Sequence, residues 1–244
     1  MKNKNKIISL FLGGTFIFTM TSCAKKISEY KKTSEEKQTS ITTLDETVLL
    51  DDNIIKKVDY KYAYATNNVN FRDDSSLDSN IIDNISAYDK LEVIDEKGDF
   101  LHVSYNGKEG YVYKQYTDYL SSNYVEVDIS EQKLFLYVDD DLMMESNVVT
   151  GNKNTHDTPL GCNYIYDKQK DTYLTGSDYK VHVENWIPFL GGYGIHDAEE
   201  WRSNYSQDQY LGNGSHGCIN MKLADANKLY DNVTVSKTKV LIHK

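Results

Sequence analysis

Short runs in which apolar and polar residues alternate constrain the fold more than any other feature of this sequence. Apolar residues occupy every second position in two successive runs: Val125, Val127 and Ile129, then Leu134, Leu136 and Val138. Such a period of two is typical of a half-buried β-strand, which places Glu126 and Asp128 on the opposite, polar face. The 20 tyrosines also favour strands, and there are only 2 prolines. The sequence therefore predicts a mainly β protein.

A separate set of short strands is predicted between Tyr62 and Leu120. Asn106-Gly107 lies between two alternating runs, which is a strong signal for a two-residue hairpin turn. Asn70-Phe71-Arg72 opens the set and Gly110-Tyr111-Val112 closes it, and this order resembles the bacterial SH3-type domain. The resemblance implies a small SH3-like barrel over residues 60–122. Modules of this family bind cell-wall peptide or glycan, or act as spacers, and the sequence leaves both roles open.

The N-terminus has the pattern of a targeting segment. Three lysines within the first six residues precede a mostly apolar run of 14 residues, Ile7 to Met20, which is too short to span a bilayer as a helix. Met20-Thr21-Ser22-Cys23 resembles the lipobox of bacterial lipoproteins. The resemblance implies that residues 1–23 form a lipoprotein signal peptide and that Cys23 carries the lipid. We therefore expect an exported lipoprotein, anchored in the membrane and facing the cell wall; the alternative is a plain cleaved signal peptide.

Residues 24–59 are polar and rich in Lys, Glu, Ser and Thr. They show no sustained apolar period before Val48, so we interpret them as a tether between the membrane and the folded part of the chain.

One hexapeptide, Ser215-His216-Gly217-Cys218-Ile219-Asn220, combines a cysteine with a histidine, and a second histidine lies upstream at His196. A free thiol has a pKa near ~8.5 and is mostly uncharged at neutral pH. A neighbouring imidazole lowers that pKa and makes the thiolate abundant. The pattern therefore predicts that Cys218 is an activated nucleophile.

These residues also carry a family resemblance. Thr158-Pro159-Leu160-Gly161, Gly194-Ile195-His196 and the hexapeptide resemble, in that order, the elements of L,D-transpeptidases with a YkuD-type catalytic domain. Eighteen residues separate His196 from Ser215, close to the usual gap. The resemblance covers residues 123–244. It implies a β-sandwich-like catalytic domain with a short helix after the catalytic cysteine, and a peptidoglycan stem peptide as substrate.

The same resemblance assigns the site residues. Cys218 is expected as the nucleophile, His196 as the general base and acid, and His216 as the residue that orients or polarises the thiol. Substrate or oxyanion contacts are expected from the segment around the cysteine and from the residue after the base: Ser215, Gly217, Asn220 and Asp197. The backbone carbonyl of Asp197 is the expected acceptor that orients His196, and the sequence does not decide whether its carboxylate also touches the imidazole.

The implied reaction has two steps. The thiolate attacks the carbonyl of the third residue of a donor stem, D-Ala leaves and a thioester forms; the side-chain amine of a second stem then attacks and gives a 3→3 cross-link. With water as acceptor the same residues give an L,D-carboxypeptidase, so the sequence does not decide between these outcomes. A third alternative is a cell-wall-binding lipoprotein without activity.

Other classes fit less well. Cys/His endopeptidases of the NlpC type carry the Cys before the His, and here His196 precedes Cys218. The three cysteines, Cys23, Cys162 and Cys218, share no metal-ligand spacing, so no metal and no cofactor are expected, and Cys162 is interpreted as a buried free thiol. A formal net charge of −10 argues against binding of nucleic acid through a basic face.

Overall fold

The structure is a computed structural model that describes residues 55–176 and 179–244. The predicted signal peptide with Cys23 and residues 24–54 of the predicted tether lie outside the described residues. No helix in the described ranges is both long and apolar enough to cross a bilayer.

Residues 55–119 form one sheet of eight short strands. The strands are β1 Ile55–Lys56, β2 Tyr62–Ala65, β3 Val69–Arg72, β4 Ile81–Ile85, β5 Lys90–Lys97, β6 Phe100–Tyr105, β7 Lys108–Tyr113 and β8 Thr117–Tyr119. They follow the order β4-β3-β7-β6-β5-β2-β8, and β1 pairs with β5. Asn106 and Gly107 both have positive φ, 50° and 73°, as a type I′ hairpin requires, so the predicted turn between β6 and β7 is confirmed. β1 lies inside the span that the sequence predicted as tether.

Two further sheets and one helix follow. The first sheet contains β9 Tyr124–Asp128, β10 Lys133–Val138, β11 Asp141–Asn147, β12 Gly161–Tyr164 and β17 Lys239–His243, in the order β11-β10-β9-β17-β12. The second contains β13 Gln169–Thr175, β14 Lys180–Leu190, β15 Tyr193–Asp197 and β16 Ile219–Met221, in that order. The helix α1 spans Leu223–Asn232. The predicted mainly β fold, with an SH3-like unit before a β-sandwich-like domain and a short helix after Cys218, is confirmed.

The core of the second domain lies between its two sheets and α1. Val125, Val127, Leu134 and Leu136 contribute from one sheet and Ile187, Phe189, Ile195, Ile219 and Met221 from the other, all buried. On α1, Ala226 and Leu229 are three residues apart, so they share a face and both reach this core. Asp225 in the first turn of α1 is favourable for the helix dipole, and the β-branched, extended Val233 ends it.

The sequence predicted a half-buried β9 with a polar outer face, but Glu126 on that face is buried. Glu126 is 6% exposed because the SH3-like domain covers it: its carboxylate pairs with Lys90 of β5 and, at 3.0 Å, with His243 of β17. Burial alone raises the pKa of Glu126, but the hydrogen bond from His243 and the charge of Lys90 outweigh it and leave the pKa below its ordinary value. A single strand cannot reveal that a second domain packs against its polar face.

Candidate active site

Strand register brings the predicted site residues to one cavity. β15 and β16 are parallel neighbours in which His196 pairs with Asn220, so these two side chains lie on the same face. Cys218 is the residue immediately before β16. All three line a cavity of about 300 Å³, which is also lined by Leu174, Tyr179, Trp201, Arg202, Asn213 and His216.

The His196 imidazole is held in one tautomer. Its Nδ1 lies 2.8 Å from the carbonyl oxygen of Asp197. A carbonyl only accepts, so Nδ1 carries the proton and Nε2 has the lone pair. The amide nitrogen of Asn220 donates to Nε2 at 3.0 Å. Burial, at 4% exposure, lowers the pKa of His196, and the Arg202 guanidinium also acts downwards, so the ring is neutral near pH 7 and can accept a proton.

The environment of Cys218 differs from the sequence prediction. Its half-buried thiol lies 3.8 Å from the carbonyl oxygen of Gly192, at the tip of the β14–β15 hairpin. Burial raises the pKa of Cys218, and the backbone amide of Gly194 offsets this only in part. The predicted downward shift by an imidazole is wrong for this conformation, because the hydrogen bonds found in the described ranges do not include one from the thiol to His196. Both groups are neutral and face the same cavity.

Ser215 folds the loop before the cysteine. Its hydroxyl accepts the backbone N–H of Gly217 at 3.0 Å and donates to the carbonyl of Cys218. The Gly217 amide, which the sequence predicted as an oxyanion donor, is therefore already used inside the loop. The Ser215 hydroxyl is used there too, although Ser215 also lines the cavity, so its predicted contact with substrate stays a prediction.

Gly217 is required by its conformation and by its neighbour. Its φ is +107°, a region that side chains other than glycine rarely adopt, and an added Cβ would lie 2.3 Å from Cε1 of Tyr193. The Tyr193 ring therefore occupies the space that a side chain at position 217 would need.

Thr158 is a positioning residue that sequence reasoning missed. Its hydroxyl accepts the backbone N–H of Gly151 at 2.8 Å and donates to the carbonyl of Gly217 at 2.9 Å, and all these groups are buried. The hydroxyl thus holds the loop of the cysteine to the segment after β11. The only signal was the Thr-Pro-x-Gly element, which carried no role by itself.

His216 lies at the rim of the cavity and is exposed. Its ring centroid is 4.6 Å from that of His156 and 5.5 Å from that of Tyr179. The hydrogen bonds given for the described part of the chain do not join His216 to the thiol. In this conformation no hydrogen bond among the described residues supports the predicted polarisation of Cys218 by His216.

Asp197 contributes through its backbone only. Its carboxylate accepts the N–H groups of Asn185, at 2.7 Å, and Glu184, at 3.1 Å, and is 5% exposed. These amides of β14 hold the carboxylate in place, and Asp197 is not among the residues that line the cavity. Its predicted substrate contact stays a prediction. The carbonyl lies where the sequence analysis expected it, against His196.

Aromatic rings pack around His196. The ring centroids of Trp186 and Trp201 are 5.9 and 6.0 Å from that of His196. Trp186 also fills the space above Gly194, where an added Cβ would lie 2.5 Å from the indole. These contacts help to bury the imidazole.

The second cysteine of the described residues lies elsewhere. Cys162 and Cys218 are both free, and Cys162 packs near the domain boundary with Tyr64 and Leu241. Burial raises the pKa of Cys162 to about 11. Within the described residues, His, Cys, Asp and Glu side chains form no group of three that could hold a metal ion.

Family models match both domains. The bacterial SH3 domain model matches residues 67–118, and the L,D-transpeptidase catalytic domain model, YkuD, matches residues 122–242. Among curated proteins the search found no match.

Solved structures agree with the second assignment. The Ldtfm–avibactam carbamoyl enzyme is 25% identical, with a TM-score of 0.50 over 75% of this chain and 76% of that chain. A Cys-to-Ser mutant of the Enterococcus faecium L,D-transpeptidase is 25% identical, with a TM-score of 0.50 over 73% and 75%. The NMR structure of the catalytic domain of the E. faecium L,D-transpeptidase acylated by ertapenem is 32% identical; 52% of this chain and 100% of that chain are covered, with a TM-score of 0.47. This chain therefore belongs to the L,D-transpeptidase family and carries a YkuD catalytic domain behind a bacterial SH3 domain.

Proposed function

We propose that this chain is a cysteine-dependent peptidoglycan L,D-transpeptidase that forms 3→3 cross-links between stem peptides. The observation that carries the proposal is the parallel register of β15 and β16, which sets Cys218, His196 and Asn220 around one cavity. A thiol and a neutral imidazole with its Nε2 lone pair on the same face are the two groups that acyl transfer through a thioester needs.

In the first step, His196 Nε2 takes the thiol proton of Cys218 while Sγ attacks the carbonyl carbon of the third stem residue. The bond to D-Ala then breaks, its nitrogen takes the proton from His196, and a thioester remains. The neutral starting pair suits this step, because a buried imidazole with a lowered pKa returns its proton readily. The hydrogen bond from Asn220 to Nε2 must open when the thiol proton arrives.

In the second step, the side-chain amine of an acceptor stem gives a proton to His196 Nε2 and attacks the thioester. The new amide forms, the C–S bond breaks, and the sulfur takes the proton from His196. The Asp197 carbonyl fixes the ring in both steps, since it keeps the other proton on Nδ1. With the Gly217 amide engaged by Ser215, the backbone amide of Cys218 is the proposed oxyanion donor.

The test is incubation of the full-length chain, purified in detergent, with a disaccharide-tetrapeptide, followed by mass analysis. A dimer that lacks one D-Ala supports the transpeptidase, whereas a tripeptide product alone shows a carboxypeptidase. Cys218→Ala should abolish the product and Cys162→Ala should retain it. Full activity of Cys218→Ala would overturn the proposal.

We also propose that the protein is exported and held at the membrane through a lipid on Cys23, facing the cell wall. The basis is the lysine-rich start, the apolar run and the lipobox-like Met20-Thr21-Ser22-Cys23. Two acyl chains give stable anchoring where one does not. Cys23→Ala should move the protein from the membrane fraction to the medium, and its retention on the membrane would contradict the anchor.

A further inference from the structure

Arg202 is a buried cation in the cavity, and the described residues give it no acidic partner. It is 8% exposed and lines the cavity together with Cys218 and His196. Its Nη1 donates to the backbone carbonyl of Asn213 at 2.8 Å, and its Nε is buried without a hydrogen-bond partner. The ion pairs found over residues 55–176 and 179–244 do not include Arg202.

Lys239, the other Lys or Arg side chain that is buried among the described residues, has a carboxylate partner. Lys239, 6% exposed, pairs with Asp118 at 2.9 Å, and Lys90 pairs with Glu126. Charged groups are rarely buried unless they are paired, because removal from water is costly. The two lysines at the domain boundary are thus paired with carboxylates. Arg202, in the wall of the candidate active site, has no such partner among the described residues.

The backbone holds Arg202 in this place. The turn after β15 closes with hydrogen bonds from Trp201 and Arg202 to the carbonyl of Ala198, at 3.1 and 2.8 Å. Ala198 in turn donates to Met221 at the end of β16, at 3.1 Å. The guanidinium is therefore fixed relative to the two strands that carry His196 and Asn220, and the contact to Asn213 restrains its far end.

We propose that Arg202 binds a carboxylate of the donor stem peptide beside Cys218 and so selects donors that carry a free acid there. This proposal rests on the proposed function. The planar guanidinium matches a carboxylate in geometry and charge, so a substrate carboxylate supplies the partner that the described residues do not. A donor stem offers this group at its terminal D-Ala, or on the side chain of its third residue when that diamino acid has a second carboxyl group.

Binding tests the proposal without turnover. The Cys218→Ala chain is titrated calorimetrically with three tetrapeptides: the free acid, the form amidated at D-Ala, and the form amidated on the third side chain. We expect one of the two amides to bind roughly 10- to 100-fold more weakly than the acid, which identifies the carboxylate in contact. Arg202→Gln in the same background should bind the acid as weakly as that amide and should no longer distinguish the two.

Arg72→Gln is the matched control, because Arg72 also donates through Nη1 to a backbone carbonyl, that of Ser79, at 2.8 Å, but lies in the SH3-like domain. It should leave all three affinities unchanged.

Arg202→Lys keeps the charge and should retain a reduced preference for the acid. This variant replaces Arg202→Gln in the test if circular dichroism shows that Arg202→Gln does not fold. Equal binding of the acid and both amides by the Arg202 chain, or a preference that survives Arg202→Gln, would overturn the proposal. Absence of any cross-linked product in the otherwise wild-type chain would overturn the proposed function separately.

Discussion

The two hydrogen bonds of the Thr158 hydroxyl, to Gly151 and to Gly217, form what we call the Thr158 clamp. Replacement of Thr158 by valine tests whether this clamp holds the loop that carries Cys218. Valine has nearly the same shape but cannot accept the Gly151 N–H or donate to the Gly217 carbonyl, so both groups lose their partner in a buried place. A buried polar group left unpaired costs about 1–3 kcal/mol. Two such groups give about 2–6 kcal/mol, so we expect Thr158→Val to lose at least about 2 kcal/mol of unfolding free energy.

Urea unfolding measures this loss as a lower midpoint at an unchanged slope. Thr158→Ser restores the hydroxyl and should recover most of it. Thr155→Val is the control from the same segment, since its exposed hydroxyl bonds only to the Asn152 carbonyl at 3.2 Å; it should change stability by less than about 0.5 kcal/mol. Cross-linking by Thr158→Val should fall by roughly 10- to 100-fold because the loop that carries Cys218, the proposed nucleophile, is displaced. A loss of stability no larger than that of Thr155→Val would refute the clamp.

Three further predictions follow from single contacts. Gly217→Ala should abolish cross-linking and lower the thermal midpoint, because its Cβ meets Tyr193 at 2.3 Å and its φ is +107°; Gly107→Ala, with φ +73° and open space, should keep activity. Glu126→Gln should lower the free energy of unfolding by about 3 kcal/mol at pH 7. Because the pKa of Glu126 is lowered in the folded state, this difference from wild type should shrink as the pH falls below the unfolded pKa of ~4.3. Urea titrations in which the difference in unfolding free energy does not change with pH would contradict this. The iodoacetamide rate at Cys218 should rise with pH and reach half its maximum above the ordinary thiol pKa, as burial raises that of Cys218, and a midpoint below ~8.5 would contradict it.

Much of the fold was readable from local patterns. The alternation around Val125 and Val127 predicted β9, and Asn106-Gly107 predicted the β6–β7 turn, because each depends on neighbours in sequence. The short helix that the family resemblance implied after Cys218 is α1. The burial of Glu126 was missed, because it depends on a second domain whose packing no single strand encodes.

The candidate site was predictable in membership but not in detail. The order of the elements around His196 and Cys218 was enough to bring both to one site, and the structure places both in one cavity. The partners of individual atoms were not predictable: Thr158 reaches Gly217 across 59 positions, and the Ser215 hydroxyl takes the Gly217 amide. Such contacts arise from tertiary packing, which neither spacing nor residue type specifies.

The role proposed for Arg202 was also not predictable from the sequence. In sequence it is one basic residue in an acidic chain, with no periodicity that sets it apart. The role proposed for it depends on its burial and on the lack of a carboxylate partner among the described residues, and both depend on the folded turn after β15.

The most direct test of the account is to locate the acyl group during turnover. The full-length chain is mixed with tetrapeptide donor, quenched in acid within the burst, digested at low pH and mapped by mass. The account predicts one thioester on the peptide that contains Cys218, with the mass of the donor less D-Ala, and none on the buried Cys162. Cross-linked product that accumulates with no adduct on Cys218, or with the adduct on Cys162, would contradict it.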